Sequence, residues 1–242
     1  MAWFFTENEI NSDNYIINGE NARHIANSLR MREGEDLTLV TPEKIQLDCV
    51  ITAVNSDSVE VAVSSRKQCG NEPDVEITLY QALPKGDKME YIVQKCVELG
   101  ISKIVPVISA RCISRPDEKS LAKKQVRWQK IAREAAQQSR RGIIPEIMPA
   151  VSFKEAARLC SQNELNIIFY ELGGDSVKKL INNKPTSIGI FIGSEGGFEE
   201  VEVELIKQNG GVAATLGKRI LRAETAPLAA LSIIMYETGN FD

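Results

Sequence analysis

Two apolar runs that each end in a glycine-containing loop and lead into a helix constrain this 242-residue chain most. The first is Ile188-Gly189-Ile190-Phe191-Ile192, followed by Gly193-Ser194-Glu195-Gly196-Gly197-Phe198 and a glutamate-rich helical segment. The second runs from Gly211 to Leu216 and passes through Gly217-Lys218-Arg219-Ile220-Leu221-Arg222-Ala223-Glu224-Thr225 into an apolar helix reaching Leu231. Short β-favouring runs with no polar alternation are strands buried on both faces, as in a parallel sheet covered by helices. In such a sheet ligands bind outside the carboxyl ends of the strands, so Ile188–Leu231 is the expected site.

The rest of the chain divides around that stretch. From Val75 onward strands alternate with longer helices: Val75–Gln81, Ile104–Ile108 and Ile167–Tyr170 read as strands, and Lys88–Leu99, Lys119–Gln138 and Phe153–Cys160 as helices. Gly100 is placed to end the first of these helices. Residues 1–72 have a different rhythm. The runs at Leu37–Val40, Gln46–Ile51 and Val59–Val63 are separated by turn residues, with one helical segment at Asn21–Leu29, as in a small β-barrel or sandwich. The linker Gln68–Asp74 is polar and broken by Gly70 and Pro73, which puts a domain boundary between 1–72 and 73–242. The expected fold is therefore α/β, with a C-terminal parallel sheet and an N-terminal small β-barrel.

Charge is segregated along the chain. Residues 1–72 carry 6 Lys+Arg against 12 Asp+Glu, a net of −6, whereas 81–145 carry 14 against 6, a net of +8. A basic middle in a chain of net −4 is either a solvated helix face or a surface for a polyanion. The five cysteines stand singly with no CxxC pair, which argues against a disulfide framework and a zinc site. No apolar run approaches the roughly 18–20 residues of a membrane span, and no signal peptide is read, so a cytoplasmic location is expected, with neither membrane nor metal.

Three loops of similar character end strands of the second domain: Glu171-Leu172-Gly173-Gly174, Gly193–Gly197 and Leu216–Arg219. Glycine lets backbone approach a ligand closely, and Glu195 is placed to accept from a ribose hydroxyl or an amine. Neither familiar phosphate motif fits. Gly193-Ser194-Glu195-Gly196 lacks the dinucleotide spacing. Five residues rather than four separate Gly211 from Gly217-Lys218, with Arg219 where a P-loop needs Ser or Thr. A nucleoside-like ligand held by backbone groups fits better. Lys218, Arg219 and Arg222 precede a helix capped by Thr225 with Pro227 in its first turn, and cations there point to an anionic partner. The single histidine, His24, lies in the other domain and builds no nucleophilic triad and no metal cluster.

These motifs carry a resemblance. Gly193–Phe198 together with Leu216–Ala226 resembles the two C-terminal motifs of the bacterial 16S rRNA uracil-N3 methyltransferases, of the SPOUT superfamily of knotted methyltransferases. Lys85–Glu90, Lys95–Gly100, Arg127–Ile131 and Glu134–Arg140 look like blocks of the same family. His24-Ile25 with Ser28-Leu29-Arg30 resembles its PUA-like RNA-binding domain. Two departures stand out: Ser194 where proline is commoner, and Trp3 where the family often has a basic residue.

The resemblance implies a C-terminal sheet tied in a trefoil knot, S-adenosylmethionine in the knotted crevice, a homodimer, and methyl transfer to N3 of a uridine in the 16S rRNA of the small ribosomal subunit. Cofactor contacts fall on Glu171, Leu172 and Gly173, on Gly193, Glu195, Gly196 and Gly197, and on Leu216, Gly217, Arg219, Ile220 and Leu221. Arg222 is expected to stabilise charge on the base, with Glu224 orienting it or assisting proton removal. RNA contacts are expected from Arg23, His24, Arg30, Arg32, Lys85, Arg111 and Arg140. The alternatives are the same fold acting on another RNA position, such as a ribose 2′-hydroxyl, and a non-catalytic rRNA-binding assembly factor.

Overall fold

Alternation over Ile45–Val54 buries Leu47, Cys49 and Ile51 on one side of a strand and turns their neighbours outward, and this strand is the backbone of the first sheet. The computed structural model describes residues 2–241. The chain forms two units, Met1–Glu72 with Ala136–Ile143, and Pro73–Ala135 with Ile144–Asp242.

The first unit holds β1 (Ala2–Phe5), β2 (Asn14–Asn18), α1 (Gly19–Arg23) running into a π-turn at His24–Ser28, β3 (Asp36–Val40), β4 (Ile45–Val54) and β5 (Ser58–Gln68). Its five strands follow the order β1-β3-β4-β5-β2, with β1 parallel to β3 and the other pairs antiparallel. Two register shifts between β4 and β5, at Asp48/Cys49 and Ile51/Ala53, bend the ladder, and bulges of this kind give a sheet its curl. The result is a curled half-barrel whose hydrogen-bonded path begins at β1 and ends at β2. Phe4, Ile17, Ile25, Leu39, Leu47 and Val59 lie in its core.

Ala136–Ile143, the end of a long helix and the turn after it, closes one side of this unit through polar contacts. Trp3 is 8% exposed and its indole Nε1 donates to the Arg141 carbonyl at 2.9 Å, so the residue that departs from the family pattern is a buried structural anchor. Arg141, only 3% exposed, grips the Glu72 carboxylate with two guanidinium nitrogens, Nε at 3.2 Å and Nη2 at 2.5 Å, while the Gly142 N–H donates to the same carboxylate. A bidentate pair of this kind is held by geometry as well as charge.

The second unit holds β6 (Glu76–Ala82), α2 (Lys88–Glu98), β7 (Lys103–Ile108), most of α3 (Glu118–Gln138), β8 (Glu146–Ile147), β9 (Val151–Ser152), α4 (Phe153–Leu159), β10 (Leu165–Phe169), β11 (Asp175–Ser176), α5 (Val177–Leu180), β12 (Ser187–Ile192), α6 (Glu200–Gln208), β13 (Val212–Thr215) and α7 (Ala226–Glu237). The strands follow the order β11-β13-β10-β12-β6-β7-β8, with β9 also on β7, and every pairing is parallel. Helices α2 and α5 pack on α7, and α4 packs on α6. Tyr80 and Phe191 stack at 4.4 Å between ring centres, and Phe153 fits between Phe191 and Phe198. Gly100 (φ +97) closes α2 with Ile101 N–H bonded back to the Cys96 carbonyl, a left-handed cap in which a Cβ would strike Pro73. Thr225 occupies the N-cap of α7, but its side chain makes no capping bond. The Thr225 and Ala226 N–H groups bond to the Arg222 carbonyl instead. No helix of the described residues is long and apolar enough to cross a membrane.

Glu72→Ala is expected to leave the Arg141 cation buried without its carboxylate and to cost about 3 kcal/mol, measured as a lowered urea midpoint followed by tryptophan fluorescence.

Candidate active site

Because all strands of the second sheet run the same way, the segments after β6, β7, β10, β12 and β13 emerge at one edge. They bring together Lys85, Arg111, Glu171–Gly173, Gly193–Gly197, Leu216–Leu221, Arg222 and Glu224, all within the second unit. The other expected RNA contacts, Arg23, His24, Arg30, Arg32 and Arg140, fall in the first unit, where all five are exposed. Arg30 and Arg140 hold left-handed backbone at φ +54 and +58, a conformation that costs a non-glycine residue about 1 kcal/mol or more.

The loop after β12 folds back on itself. Gly197 N–H bonds to the Ser194 carbonyl at 3.0 Å, and Gly193 and Gly197 approach so closely that a Cβ on Gly193 would lie 2.8 Å from the Gly197 Cα. Gly197 is left-handed at φ +66, and a Cβ there would meet Glu171 Oε1 at 2.8 Å. A side chain at Gly193 would open the loop after β12 itself, and one at Gly197 would part it from the loop after β10. Beside them, Leu172 and Ile220 are 80% and 87% exposed, two large apolar side chains on neighbouring loops of the same edge.

Neighbouring strands brace this loop. Arg111 Nη1 donates to the Gly196 carbonyl at 3.0 Å, and the Ser194 hydroxyl donates to the Arg111 carbonyl at 3.3 Å. Gln81, at the end of β6, is fully buried. Its Nε2 reaches the Ala82, Gly193 and Ile192 carbonyls, and its Oε1 accepts no hydrogen bond from the described residues. Glu202, 7% exposed in the first turn of α6, accepts from the Ala110 and Glu199 N–H groups and so ties the segment after β7 to the helix behind the glycine loop. Of these, the sequence singled out Arg111, as an expected RNA contact rather than a brace of this loop, and neither Gln81 nor Glu202. The spacing Glu199-x-x-Glu202 is a helix-start pattern that offered a signal for the latter.

Glu195, expected to face a ribose or an amine, has its carboxylate engaged within the protein. It accepts from Lys88 Nζ at 2.8 Å and from the Lys85 N–H at 3.2 Å. Lys88 Nζ also lies 3.2 Å from Glu224 Oε2, an ionic contact without a directed hydrogen bond. One ammonium thus joins carboxylates from the loops after β12 and β13. Lys88 sits in the first turn of α2 and was missed as a site residue, since nothing local marks a lysine for partners more than 100 residues away.

The charges shift accordingly. Burial pushes the Glu195 carboxyl up, but hydrogen bonds from Lys88, from its own N–H and from the Lys85 N–H outweigh it and hold the group below the ordinary 4.5. Glu224 is held below 4.5 chiefly by its own backbone N–H, with the Lys88 ammonium and the Arg222 charge adding against a burial cost. Lys88 is raised above 10.5 by Glu195 first and Glu224 second. Depressed carboxylates contribute stability above their unfolded values and lose it as pH falls through the folded ones. Stability of the second unit is therefore expected to fall on acidification below pH 4.5. Glu195→Gln is expected to make that acid slope shallower in unfolding free energies measured across the range.

The comparisons with known proteins agree on this architecture. The RNA methyltransferase domain family matches residues 71–235, and the RNA methyltransferase PUA domain matches 17–64. A ribosomal RNA small subunit methyltransferase E of Bacillus subtilis is 36% identical over 231 residues, covering 93% of this chain and 90% of that protein. Its namesake in Buchnera aphidicola subsp. Schizaphis graminum is 31% identical, covering 90% and 88%. The crystal structure of a ribosomal RNA small subunit methyltransferase E from Neisseria gonorrhoeae bound to S-adenosyl methionine superimposes with a TM-score of 0.87 at 32% identity, covering 98% of this chain and 97% of that one.

Proposed function

The chain belongs to the RNA methyltransferase family, and on that premise we propose that it is an S-adenosylmethionine-dependent methyltransferase acting on N3 of a uridine in the 16S rRNA of the small ribosomal subunit. The observation that carries this reading is the convergence of three glycine-containing loops, after β10, β12 and β13, on an edge that also holds Arg222. The site's chemistry fits the cofactor. The Gly193/Gly197 turn leaves no side chain between the backbone and a nucleoside, Leu172 and Ile220 offer apolar surface for a base, and the Glu171 carboxylate beside Gly197 suits a ligand of positive charge. Glu171–Gly173, Gly193, Glu195–Gly197, Leu216, Gly217 and Arg219–Leu221 are the residues that would hold it. The cofactor supplies an electrophilic methyl on sulfonium sulfur.

The protein's part is to align the base and manage charge. The N3 proton of uracil is an imide proton, and its removal leaves negative charge on the flanking carbonyl oxygens. Arg222, exposed in the turn before α7, supplies a cation for that charge. Glu224 orients Arg222 or assists proton removal. Arg23, His24, Arg30 and Arg32 in a PUA-like RNA-binding domain (residues 1–72), with Lys85, Arg111 and Arg140 of the methyltransferase domain (73–242), grip the RNA backbone and set its register.

Knotted threading is supported by strand order. β12 enters between β6 and β10, both earlier in the chain, and β13 then lies on the far side of β10. A homodimer is supported by α7, where Ile233 and Tyr236 are exposed on a helix whose other face buries Leu231, Ile234 and Met235. A cytoplasmic site of action follows from the rRNA substrate.

Incubation with labelled S-adenosylmethionine and unmodified small subunits is expected to place label on uracil N3. Label on a ribose would move the reaction to the 2′-hydroxyl, and no label would leave an RNA-binding factor. Arg222→Ala is expected to lower kcat roughly 100- to 1000-fold while calorimetry still detects cofactor binding. Gly197→Ala, forced into left-handed backbone against Glu171, is expected to weaken cofactor binding roughly tenfold in the same calorimeter.

A further inference from the structure

Among the described residues Lys88 is the cation seen to touch carboxylates from two of the converging loops, and the proposed reaction gives it no role. Its Nζ is 2.8 Å from Glu195 Oε1 and 3.2 Å from Glu224 Oε2, which puts those two oxygens at most about 6 Å apart. Two carboxylates that close repel unless a cation lies between them. The three groups are about one-third exposed or less, so solvent screens the pair only in part. Glu195 is further pinned by the Lys85 N–H from the segment after β6, which makes it the fixed end of the bridge. Glu224 is the end that bears on chemistry, two residues beyond Arg222 in a turn whose Thr225 and Ala226 N–H groups close on the Arg222 carbonyl.

We propose that Lys88 is a positioning residue of the methyl transfer: by binding Glu195 and Glu224 together it locks the turn after β13 onto the glycine loop after β12 and so fixes where Arg222 stands. This rests on the methyltransferase reading. It also narrows the role of Glu224. A carboxylate paired with one cation and lying near a second is a weak proton acceptor, and its charge serves to hold Arg222 in place. Lys88 itself, seated at the start of α2 with both partners anionic, stays charged and takes no part as a base.

The test uses the full chain and the labelled-cofactor assay on small subunits. Wild type is read first: absence of transfer there overturns the methyltransferase reading, independently of Lys88. Given transfer, Lys88→Met is expected to lower kcat on the order of 100-fold, with the cofactor Kd and the KM for subunits within about threefold of wild type. Lys88→Arg is expected to regain most of the lost kcat, because it restores a cation to both carboxylates. A Lys88→Met kcat within about twofold of wild type overturns the proposal. So does a loss confined to cofactor affinity, or one that arginine does not recover. Lys88→Met combined with Glu224→Gln is expected to be no slower than the slower single variant, since both break one linkage, whereas multiplying losses overturn it. If Lys88→Met does not fold, Lys88→Gln, which keeps a polar side chain of similar reach, is read by the same criteria.

Discussion

The hydrogen bonds from β12 to β6 on one side and to β10 on the other carry the rest of the second unit. β12 is buried almost throughout, and its ladder with β6 matches every residue from Ser187 to Ile192 with one from Glu76 to Gln81. Because both neighbours run parallel to it, their carboxyl ends rise beside its own, and the glycine loop becomes the centre of an edge rather than one turn among many. Aromatic packing fixes the depth at which this happens. Phe191 stacks on Tyr80 from β6, Phe153 of α4 packs on both Phe191 and Phe198, and the loop thus starts and ends on buried rings.

On that frame the site is held by groups from neighbouring elements. Gln81, Arg111 and Glu202 secure carbonyls and N–H groups on the loop or on the segments flanking it, each from a different element. A loop built on three glycines is soft by composition, because glycine brings no side chain to pack. Its stiffness comes from neighbours. The same holds for the turn bearing Arg222, which Lys88 reaches from α2 through Glu224.

Much of this was legible in the residues. The strands that carry the site, β6, β7, β10, β12 and β13, coincide with apolar runs long enough to read, and the loops with their glycines. The two-residue strands β8, β9 and β11 and the single turn of α5 were not, because a period of two or 3.6 cannot show itself over so few positions. The π-turn at His24–Ser28 was read as plain helix for the same reason. Order within the sheet was also hidden, since a run such as Ile188–Ile192 names a buried strand and not its neighbours. Thr225 was read correctly as a cap position, but not the route of its bonding, which depends on the fold of the turn before it. The pairing of Glu195 with Lys88 was hidden, because the two lie 107 residues apart, beyond any local rule. Trp3 shows the reverse. A residue that breaks a pattern at a supposed contact surface is explained by a carbonyl 138 residues on.

That last contact bears on how the molecule is made. Chain leaves the ribosome from its amino end, and domains completed early fold early. The first unit cannot finish in this way. Glu72 must wait 69 residues for Arg141, and Trp3 must wait longer still for the same residue's carbonyl. By the time they emerge, β6, α2, β7 and α3 have all been synthesised. During that interval the curled sheet carries an unpaired carboxylate and an open indole site, and the last turn of a helix begun in one unit must complete the other. The first unit therefore completes its packing only after a large part of the second has been synthesised.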